Sequence, residues 1–325
     1  MTDSLPSVSV VVATYQRGSR LAATLGELLA NVDPAEVVVV DDGSTDDTAE
    51  VLRRLALDHP RLRPVSERNV GHSNALLVGA RVADGEVVLL LDDDVVPVPG
   101  IVLGHAAHHA RETGLVVVGY MPVPTAPSTR RSWARDIYAR TYEQHCRAWE
   151  AHPDTVLQTL WAGHLSMRRA DLLAIAGGIA NGPRGYHGDL NLGLCAAVAG
   201  MRGRFDRRLG SRHLFERSPE GFAANALDSG KGQADVLSRH GAATGGRSAI
   251  RPLPSAVGAL ARRPRGDAAL EALLRAAISA LGALRLFRLQ RFAAGRLWRV
   301  LQARGFARRV RELPGVGAAP AEERA

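Results

Sequence analysis

The first 120 residues alternate between short apolar runs, rich in β-branched side chains, and segments with leucines at helical spacing. The apolar runs are Ser7–Ala13, Glu36–Val40, Leu62–Val65, Glu86–Leu91 and Leu115–Gly119. Most of them are continuous rather than interrupted by polar residues, which indicates strands that are buried on both faces. Helices between consecutive strands of this kind are typical of a mostly parallel sheet covered on both sides. We therefore predict an α/β fold for this part of the chain.

The pattern changes after residue 120. A proline-containing loop precedes a helical pattern over Ser132–Trp149, a strand candidate at Leu157–His164, and helical patterns over Arg169–Ala176, Asp189–Ala199 and Ala268–Val310, the last with room for one or two helices. We predict that residues 1–120 and 121–245 are two halves of one domain and that 246–325 form a helical extension.

The formal net charge of +8 is concentrated at one end of the chain. From Arg251 onwards the sequence contains 15 arginines and five acidic residues, a net charge of +10, whereas the net charge of the first 250 residues is −2. Arginines recur mostly three to five positions apart between leucines and aromatic residues, at 285, 288, 291, 296, 299, 304, 308 and 309. This predicts a basic amphipathic helix that either lies on an anionic membrane surface or packs on the domain through its leucines. No nucleic-acid-binding motif accompanies the charge, so we expect no nucleic-acid partner.

Other features favour a cytoplasmic location. Cys146 and Cys195 are too few for a disulfide framework and form no CxxC pair, which favours two reduced thiols. Met1 leads into the first strand without a basic segment, so no signal peptide is expected, and no stretch reaches ~18 apolar residues. We predict a cytoplasmic protein that the basic helix could attach peripherally to the inner face of the cell membrane.

Acidic residues follow two of the predicted strands directly. Asp41 and Asp42 end the second strand, and Asp92, Asp93 and Asp94 end the fourth. Ligands of open parallel sheets bind at the carboxyl ends of the strands, and carboxylates in series repel one another unless a cation or a hydrogen-bond donor shares the site. Carboxylate oxygens suit Mg²⁺ or Mn²⁺ that also binds substrate phosphates. The alternative is a solvated acidic turn.

The first strand lacks the glycine loops that hold phosphates in other nucleotide-binding sheets. It leads into Ala13-Thr14-Tyr15-Gln16, and neither G-x-G-x-x-G nor G-x-x-x-x-G-K-[ST] occurs. A nicotinamide dehydrogenase and a P-loop enzyme are therefore disfavoured. A bound nucleotide diphosphate would depend on a metal at the aspartate cluster.

Five segments carry most of the motifs: SVSVVVATYQR, EVVVVDDGSTDDT, ERNVGHSNALLVGARVADGEVVLLLDDDVVPVPG, WAGHLSMRRADLLAIAGG and GYHGDLNLGLCAAVAGMRGRF. Together they resemble family 2 glycosyltransferases, which are inverting enzymes of the GT-A fold. The resemblance covers roughly Ser7 to His240. It implies a nucleoside diphosphate sugar (a UDP-, GDP- or dTDP-sugar) as donor, an acceptor hydroxyl, and Mn²⁺ or Mg²⁺ as cofactor.

The resemblance also implies a donor site. Thr14 and Asp42 would lie against the nucleotide base with Tyr15 beside them, and Asp92 would reach the ribose, with Asp93 in the same site. One departure from the family is Leu76-Leu77, in a segment where its members often carry Arg-Asn.

The metal, the base and the acceptor contacts are implied in the same way. Asp94, the last residue of the D-x-D, would hold the metal, and His213 matches a histidine near the metal or diphosphate. Asp189 matches the family's catalytic carboxylate, although an aspartate at a helix start is otherwise an ordinary N-cap and its neighbour is Gly188 instead of a second acid. Trp161, His164 and His187 would line the acceptor site, with His187 partly replacing the missing acid.

The sequence therefore predicts a metal-dependent inverting glycosyltransferase that acts on a glycan, lipid-linked or small-molecule acceptor. Transfer needs one base near the acceptor hydroxyl and electrostatic stabilisation of the departing diphosphate. A catalytically silent sugar-nucleotide-binding or scaffold protein is the alternative, favoured by Gly188, Leu76 and Leu77. A sugar-phosphate nucleotidylyltransferase is less favoured because no GxGTR-like loop with an early lysine is present.

Overall fold

The computed structural model describes residues 4–32, 35–124, 126–161, 163–183, 185–215, 218–241 and 266–313. The chain divides into a first unit (residues 1–124, 142–184 and 188–215) and a second unit (125–141, 185–187 and 216–325). This differs from the predicted boundary at 245/246, because the helix Pro219–His240 packs on the C-terminal helices. Residues 242–265, which include the start of the predicted extension, lie outside the described residues.

The first unit is built on one eight-stranded sheet with the order β3-β2-β1-β4-β7-β6-β8-β5. Its strands are β1 Val8–Thr14, β2 Glu36–Asp41, β3 Leu62–Ser66, β4 Val87–Asp92, β5 Val95–Pro97, β6 Leu115–Tyr120, β7 His164–Arg168 and β8 Arg202–His213. Strands β1 to β4 pair in parallel, as do β6 and β8, whereas β7 runs antiparallel to β4 and β6. Every residue of β1 is buried, as are all but one residue each of β2, β4 and β6, whereas the edge strand β3 is mostly exposed or half-buried.

Helices cover this sheet and connect its strands. They are α1 Gly18–Asn31, α2 Thr48–Asp58, α3 His72–Val82, α4 Ile101–Arg111, α5 Trp133–Ala151, α6 Arg169–Ala174, α7 Ala176–Ala180 and α8 Gly188–Val198. Residues 133–141 of α5 belong to the second unit and its remainder to the first. The α/β prediction with a mostly parallel sheet is therefore confirmed.

The predicted strands needed correction, and the three-residue strand β5 was not among them. The strand candidate Leu157–His164 is mostly turn, and β7 begins only at His164. The sequence pattern did not predict β8 at all, since that strand is largely polar (RGRFDRRLGSRH). Its arginines are held by acidic partners: Arg204 donates to Glu112 at 2.6 Å and Arg207 to Glu150 at 2.6 Å.

The second unit is a helical assembly. Helices α9 Pro219–His240, α10 Gly266–Ala283 and α11 Phe287–Glu312 pack around a core that includes Trp133, Phe222, Ile278, Ala294, Leu297 and Leu301. The predicted one or two C-terminal helices are thus two. Among the described residues, no helix combines the length and apolarity needed to cross a membrane.

Candidate active site

The carboxyl ends of β1 and β4 bring the first predicted site residues together. The two strands are parallel neighbours with Ala13 opposite Asp92, so the residues that follow both strands meet at one edge of the sheet. The hydroxyl of Thr14 donates to Asp93 Oδ2 at 2.7 Å. The side chain of Asp93 is only 10% exposed, and burial raises its pKa, which the nearby Arg17 and the Thr14 hydroxyl only partly offset. Asp93 therefore holds Thr14 and Arg17 from a buried position.

Arg17 is a member of this cluster that the sequence analysis missed. Its Nε lies 3.3 Å from Asp93 Oδ2, and its Nη2 lies 3.8 Å from Asp94 Oδ2. The guanidinium therefore relieves the repulsion between two neighbouring carboxylates. A sequence signal existed, because Arg17 ends the first segment of the family resemblance, SVSVVVATYQR.

Asp94 and His213 form the pair that was predicted to hold a metal. Strand β5 follows Asp94 directly and pairs with β8 so that Val95 lies opposite His213. His213 Nε2 consequently lies 3.2 Å from Asp94 Oδ1. Burial opposes ionisation of Asp94, but the hydrogen bond and charge of His213, together with Arg17, outweigh it and lower the pKa of this carboxyl. Asp94 is thus an ionised carboxylate whose side chain is still 28% exposed.

The chemistry of this pair fits a divalent ion that is completed by its substrate. One carboxylate and one imidazole are suitable ligands for Mn²⁺, and Mg²⁺ is commonly bound by one or two carboxylates plus phosphate oxygens and water. Within the described part of the chain no three His, Cys, Asp or Glu side chains converge as a metal cage would require. A bound diphosphate and water are suitable further ligands beside Asp94 and His213.

Asp92 faces a histidine that was not predicted as a site residue. His72, the first residue of α3, places Nε2 3.4 Å from Asp92 Oδ1. Burial disfavours protonation of His72, but the hydrogen bond to Asp92 and the charges of Asp92, Asp93 and Asp189 prevail and raise its pKa. On its other side Asp92 packs on Gly163, where any β-carbon would lie 2.1 Å from Asp92 Oδ2.

Asp189 lies in the first turn of α8, as predicted. The start of this helix packs against the start of α3, since a β-carbon on Gly188 would lie 2.4 Å from the Ser73 hydroxyl. The Asp189 carboxylate also acts electrostatically on the His72 imidazole. Gly188, which stands where the family motif has a second acid, therefore permits this close approach. Asp189 and the aspartates at the end of β4 both act on His72.

Of the two remaining predicted donor-site residues, Asp42 is buried and Tyr15 is exposed. Asp42 is 4% exposed, and its two carboxylate oxygens accept the backbone N–H groups of Val70 and Gly71 at 2.7 and 2.9 Å. It thereby fixes the loop that leads into α3. Tyr15 is 48% exposed beside Thr14, so its ring is accessible to a ligand.

His164 is not an acceptor-binding residue, contrary to the prediction. It opens β7 in the interior of the first unit and is 0% exposed. Its Nε2 lies 2.9 Å from His105 Nε2 and its Nδ1 lies 3.1 Å from the Ser211 hydroxyl. Burial lowers its pKa to about 3. His164 therefore belongs to a buried polar network and is not available to an acceptor.

The other two predicted acceptor residues lie in different units. Trp161, in the first unit, is half-buried with ring edges against Tyr142 and His145 at 5.6 Å each. His187 belongs to the second unit and has a left-handed backbone (φ 72°). Its Nε2 lies 3.0 Å from the Ser229 hydroxyl, and burial lowers its pKa to about 4. A neutral imidazole does not supply the charge of the missing acid.

Comparison with solved structures defines the class of fold. The chain aligns with the mannosyltransferase PcManGT from Pyrobaculum calidifontis, solved with GDP-Man and Mn²⁺, at a TM-score of 0.63 and 21% identity over 95% of this chain and 88% of that one. Glucosyl-3-phosphoglycerate synthase from Mycobacterium tuberculosis, solved with Mn²⁺, UDP and its product, gives 0.51 and 20% over 73% and 80%. The first of these alignments places the chain in the GT-A fold class, as predicted.

Sequence comparison gives the family. Residues 9–169 match the model of glycosyl transferase family 2, and this part of the chain belongs to that family. Validoxylamine A glucosyltransferase from Streptomyces hygroscopicus subsp. jinggangensis is 37% identical over 131 residues, 37% of this chain and 31% of the relative. Undecaprenyl-phosphate 4-deoxy-4-formamido-L-arabinose transferase from Pectobacterium carotovorum is 35% identical over 101 residues, 29% and 31%. The match thus spans less than a third of the length of these relatives.

Proposed function

We propose that this chain is a metal-dependent inverting glycosyltransferase that moves a sugar from a nucleoside diphosphate to an acceptor hydroxyl. The observation that carries the proposal is the Asp94–His213 pair at the carboxyl edge of a family 2 sheet, beside Asp92 and Asp93. Asp94 is ionised and partly exposed, so a divalent ion bound there could stabilise the charge of a diphosphate leaving group.

On the donor side, the nucleoside would lie across the ends of β1 and β2. Tyr15 offers an exposed ring for the base, and Thr14 and Asp42 form the floor beneath it. Asp92 would accept from the ribose hydroxyls, and Asp93 would hold Thr14 and Arg17 in place. His72, whose pKa is raised by Asp92, Asp93 and Asp189 against the effect of burial, is placed to donate to the phosphates.

Asp94 and His213 would hold Mn²⁺ or Mg²⁺ with the diphosphate. When bound, the ion would supply Lewis-acid stabilisation of the charge that develops on the leaving diphosphate. Solved GT-A neighbours that contain Mn²⁺ with GDP-Man or UDP support this choice of cofactor. Asp189 would take the proton of the acceptor hydroxyl as the oxygen attacks the anomeric carbon from the side opposite the diphosphate. That in-line attack inverts the configuration of the anomeric carbon.

The acceptor is a glycan, a lipid-linked group or a small molecule. Trp161 remains the candidate for stacking on it, because part of its ring stays exposed. The name of the Pectobacterium relative, which acts on undecaprenyl phosphate, supports a lipid-linked acceptor. We also propose that the protein is cytoplasmic and associates peripherally with an anionic membrane.

Metal-dependent donor cleavage tests the function. The purified chain is incubated with UDP-, GDP- and dTDP-sugars plus Mn²⁺, and release of the nucleoside diphosphate is measured with and without EDTA. We expect release from one donor class and a loss of about a hundredfold or more on chelation, since the ion stabilises the leaving group. Tight binding of a sugar nucleotide without release from any donor would instead identify the silent binding protein.

A further inference from the structure

The basic tail, which is the arginine-rich segment from Arg285 to Arg309, mostly packs within the second unit. Along α11, Ala294, Leu297, Val300 and Leu301 are at most 2% exposed, and several of them join the core formed with α9 and α10. Several arginines of the tail are also paired with acids. Arg304 lies 2.7 Å from Glu271 and Arg309 lies 2.7 Å from Asp235. Over residues 294–309, therefore, the structure favours the alternative in which the basic helix packs on the protein.

The turn between α10 and α11 and the first turns of α11 are different. Four large apolar side chains are exposed there: Leu284 (68%), Leu286 (45%), Leu289 (53%) and Phe292 (61%). We call them, with Arg285 and Arg288, the hairpin patch. A cluster of exposed large apolar side chains on one hairpin differs from single exposed leucines, which are normal on protein surfaces.

The charge of the hairpin patch is of one sign. Arg285 and Arg288 are exposed, and no carboxylate of the described residues lies within ion-pair distance of either. The guanidinium of Arg296 lies 4.7 Å above the ring centre of Phe292 and adds a third cation beside the apolar cluster. From residue 272 to residue 311 the sequence contains ten arginines and no Asp or Glu.

We propose that the hairpin patch is the docking surface for an anionic lipid bilayer. Leu284, Leu286, Leu289 and Phe292 would enter the boundary between headgroups and acyl chains, and the arginines would remain at the level of the lipid phosphates. This refines the basic-helix prediction, because the docking element is the hairpin and not the whole helix. The inference does not depend on the proposed transferase activity, since it rests only on residues of the second unit.

The composition of the patch selects lipid over a second copy of the chain. Two copies meeting through the same patch in a two-fold arrangement would bring Arg285 and Arg288 of one copy against those of the other. No acidic residue within the basic stretch could compensate that repulsion. A bilayer that contains anionic lipid offers an apolar layer for the leucines and phenylalanine and negative charge for the arginines.

Vesicle flotation of the full chain tests the proposal. We expect flotation with phosphatidylcholine vesicles that contain phosphatidylglycerol and much less with phosphatidylcholine alone, and the binding should weaken with added salt. Arg285→Glu with Arg288→Glu should lower the partition coefficient by more than about 25-fold, since each basic residue near an anionic surface contributes about fivefold. Leu286→Ser, Leu289→Ser and Phe292→Ser combined should lower it at least about tenfold.

Matched controls lie in the first unit. Leu57 and Leu103 are 73% and 60% exposed, so Leu57→Ser with Leu103→Ser removes comparable apolar surface elsewhere. Arg81→Glu with Arg111→Glu reverses two exposed charges on other helices. These controls should float like the unmodified chain. Equal flotation of the patch variants and their controls would overturn the proposal. So would absence of flotation, or a dimer in sedimentation velocity that the patch variants dissociate. Nucleoside diphosphate release measured without vesicles reports the proposed activity separately.

Discussion

Asp189→Asn is expected to slow nucleoside diphosphate release by about 10²–10⁴-fold while leaving donor binding almost unchanged. The amide cannot accept the proton of an attacking hydroxyl, whether it comes from the acceptor or from water. It keeps the local structure, since the Oδ1 atom that accepts the N–H of Leu190 at 2.8 Å is retained by asparagine. The rate is measured with the donor that the unmodified chain cleaves, and donor affinity by calorimetry with the nucleoside diphosphate and Mn²⁺.

Two further variants make this result specific. Asp171, like Asp189, is an acidic residue in the first turn of a helix, so Asp171→Asn controls for the loss of a carboxylate at a helix start. It should turn over at the unmodified rate. Asp94→Asn should show the opposite division of effects, because it weakens Mn²⁺-dependent binding of the nucleoside diphosphate itself. Turnover by Asp189→Asn at the rate of Asp171→Asn would remove Asp189 from its proposed role as base.

The sheet and its acidic edge could be predicted because they depend on local composition. An uninterrupted run such as EVVVV has few alternatives to a buried strand, and the aspartates that end β2 and β4 necessarily reach the carboxyl edge of a parallel sheet. The partners of the buried histidines were not predictable in the same way. His164 and His213 are both buried lone histidines, yet His164 contacts His105 and Ser211 whereas His213 contacts Asp94. Only the register of β7 and β8 separates them.

The helical unit was harder to predict because its glycines interrupt the helical pattern. Gly230 of α9 and Gly305 of α11 let the two helices approach until backbone meets backbone. A β-carbon on Gly230 would lie 1.9 Å from the carbonyl oxygen of Gln302, and one on Gly305 would lie 2.0 Å from that of Leu227. Glycine costs helix propensity in isolation, so a sequence pattern treats it as a break. Here the close packing that it permits outweighs that cost.

The first unit is expected to lose stability when the pH falls from about 6.5 to about 5.5. His105, His109 and His164 are fully buried, and burial lowers the pKa of each from its ordinary value of 6.5, to about 4 for His109 and about 3 for His164. The unfolded chain takes up protons in this range and the folded chain does not, so the free energy of unfolding decreases as the pH decreases. His109 and His164 each contribute about 1 kcal/mol over this interval, and His105 acts in the same direction.

The hydrogen bonds of the network explain why none of the three accepts a proton readily. The Ser211 hydroxyl donates to the carbonyl oxygen of Tyr120 at 3.2 Å, so it must accept from His164 Nδ1. His164 Nε2 is then the acceptor for His105 Nε2–H. A proton on His164 would therefore place two N–H groups against each other.

The same logic fixes the other end of the network. His105 Nδ1 must accept from the Ser166 hydroxyl at 2.7 Å, which in turn accepts from His109 Nε2–H at 2.8 Å. His109 Nδ1 remains as a buried acceptor without a hydrogen-bond partner among the described residues. A proton at that atom would also lie in the field of Arg168, which disfavours it.

Urea unfolding at a series of pH values, followed by tryptophan fluorescence, measures this loss. His72 opposes the trend, because its raised pKa makes the folded state bind a proton more readily, whereas burial lowers the pKa of His145 and adds to the trend. His109→Gln should remove about 1 kcal/mol of the pH-dependent loss. The carboxyl groups with a lowered pKa, such as those of Asp94 and Glu143, lose their contribution to stability only at more acidic pH. They therefore do not affect the change between pH 6.5 and 5.5. An unfolding free energy that stays constant between these pH values would mean that the network is hydrated and open to protons.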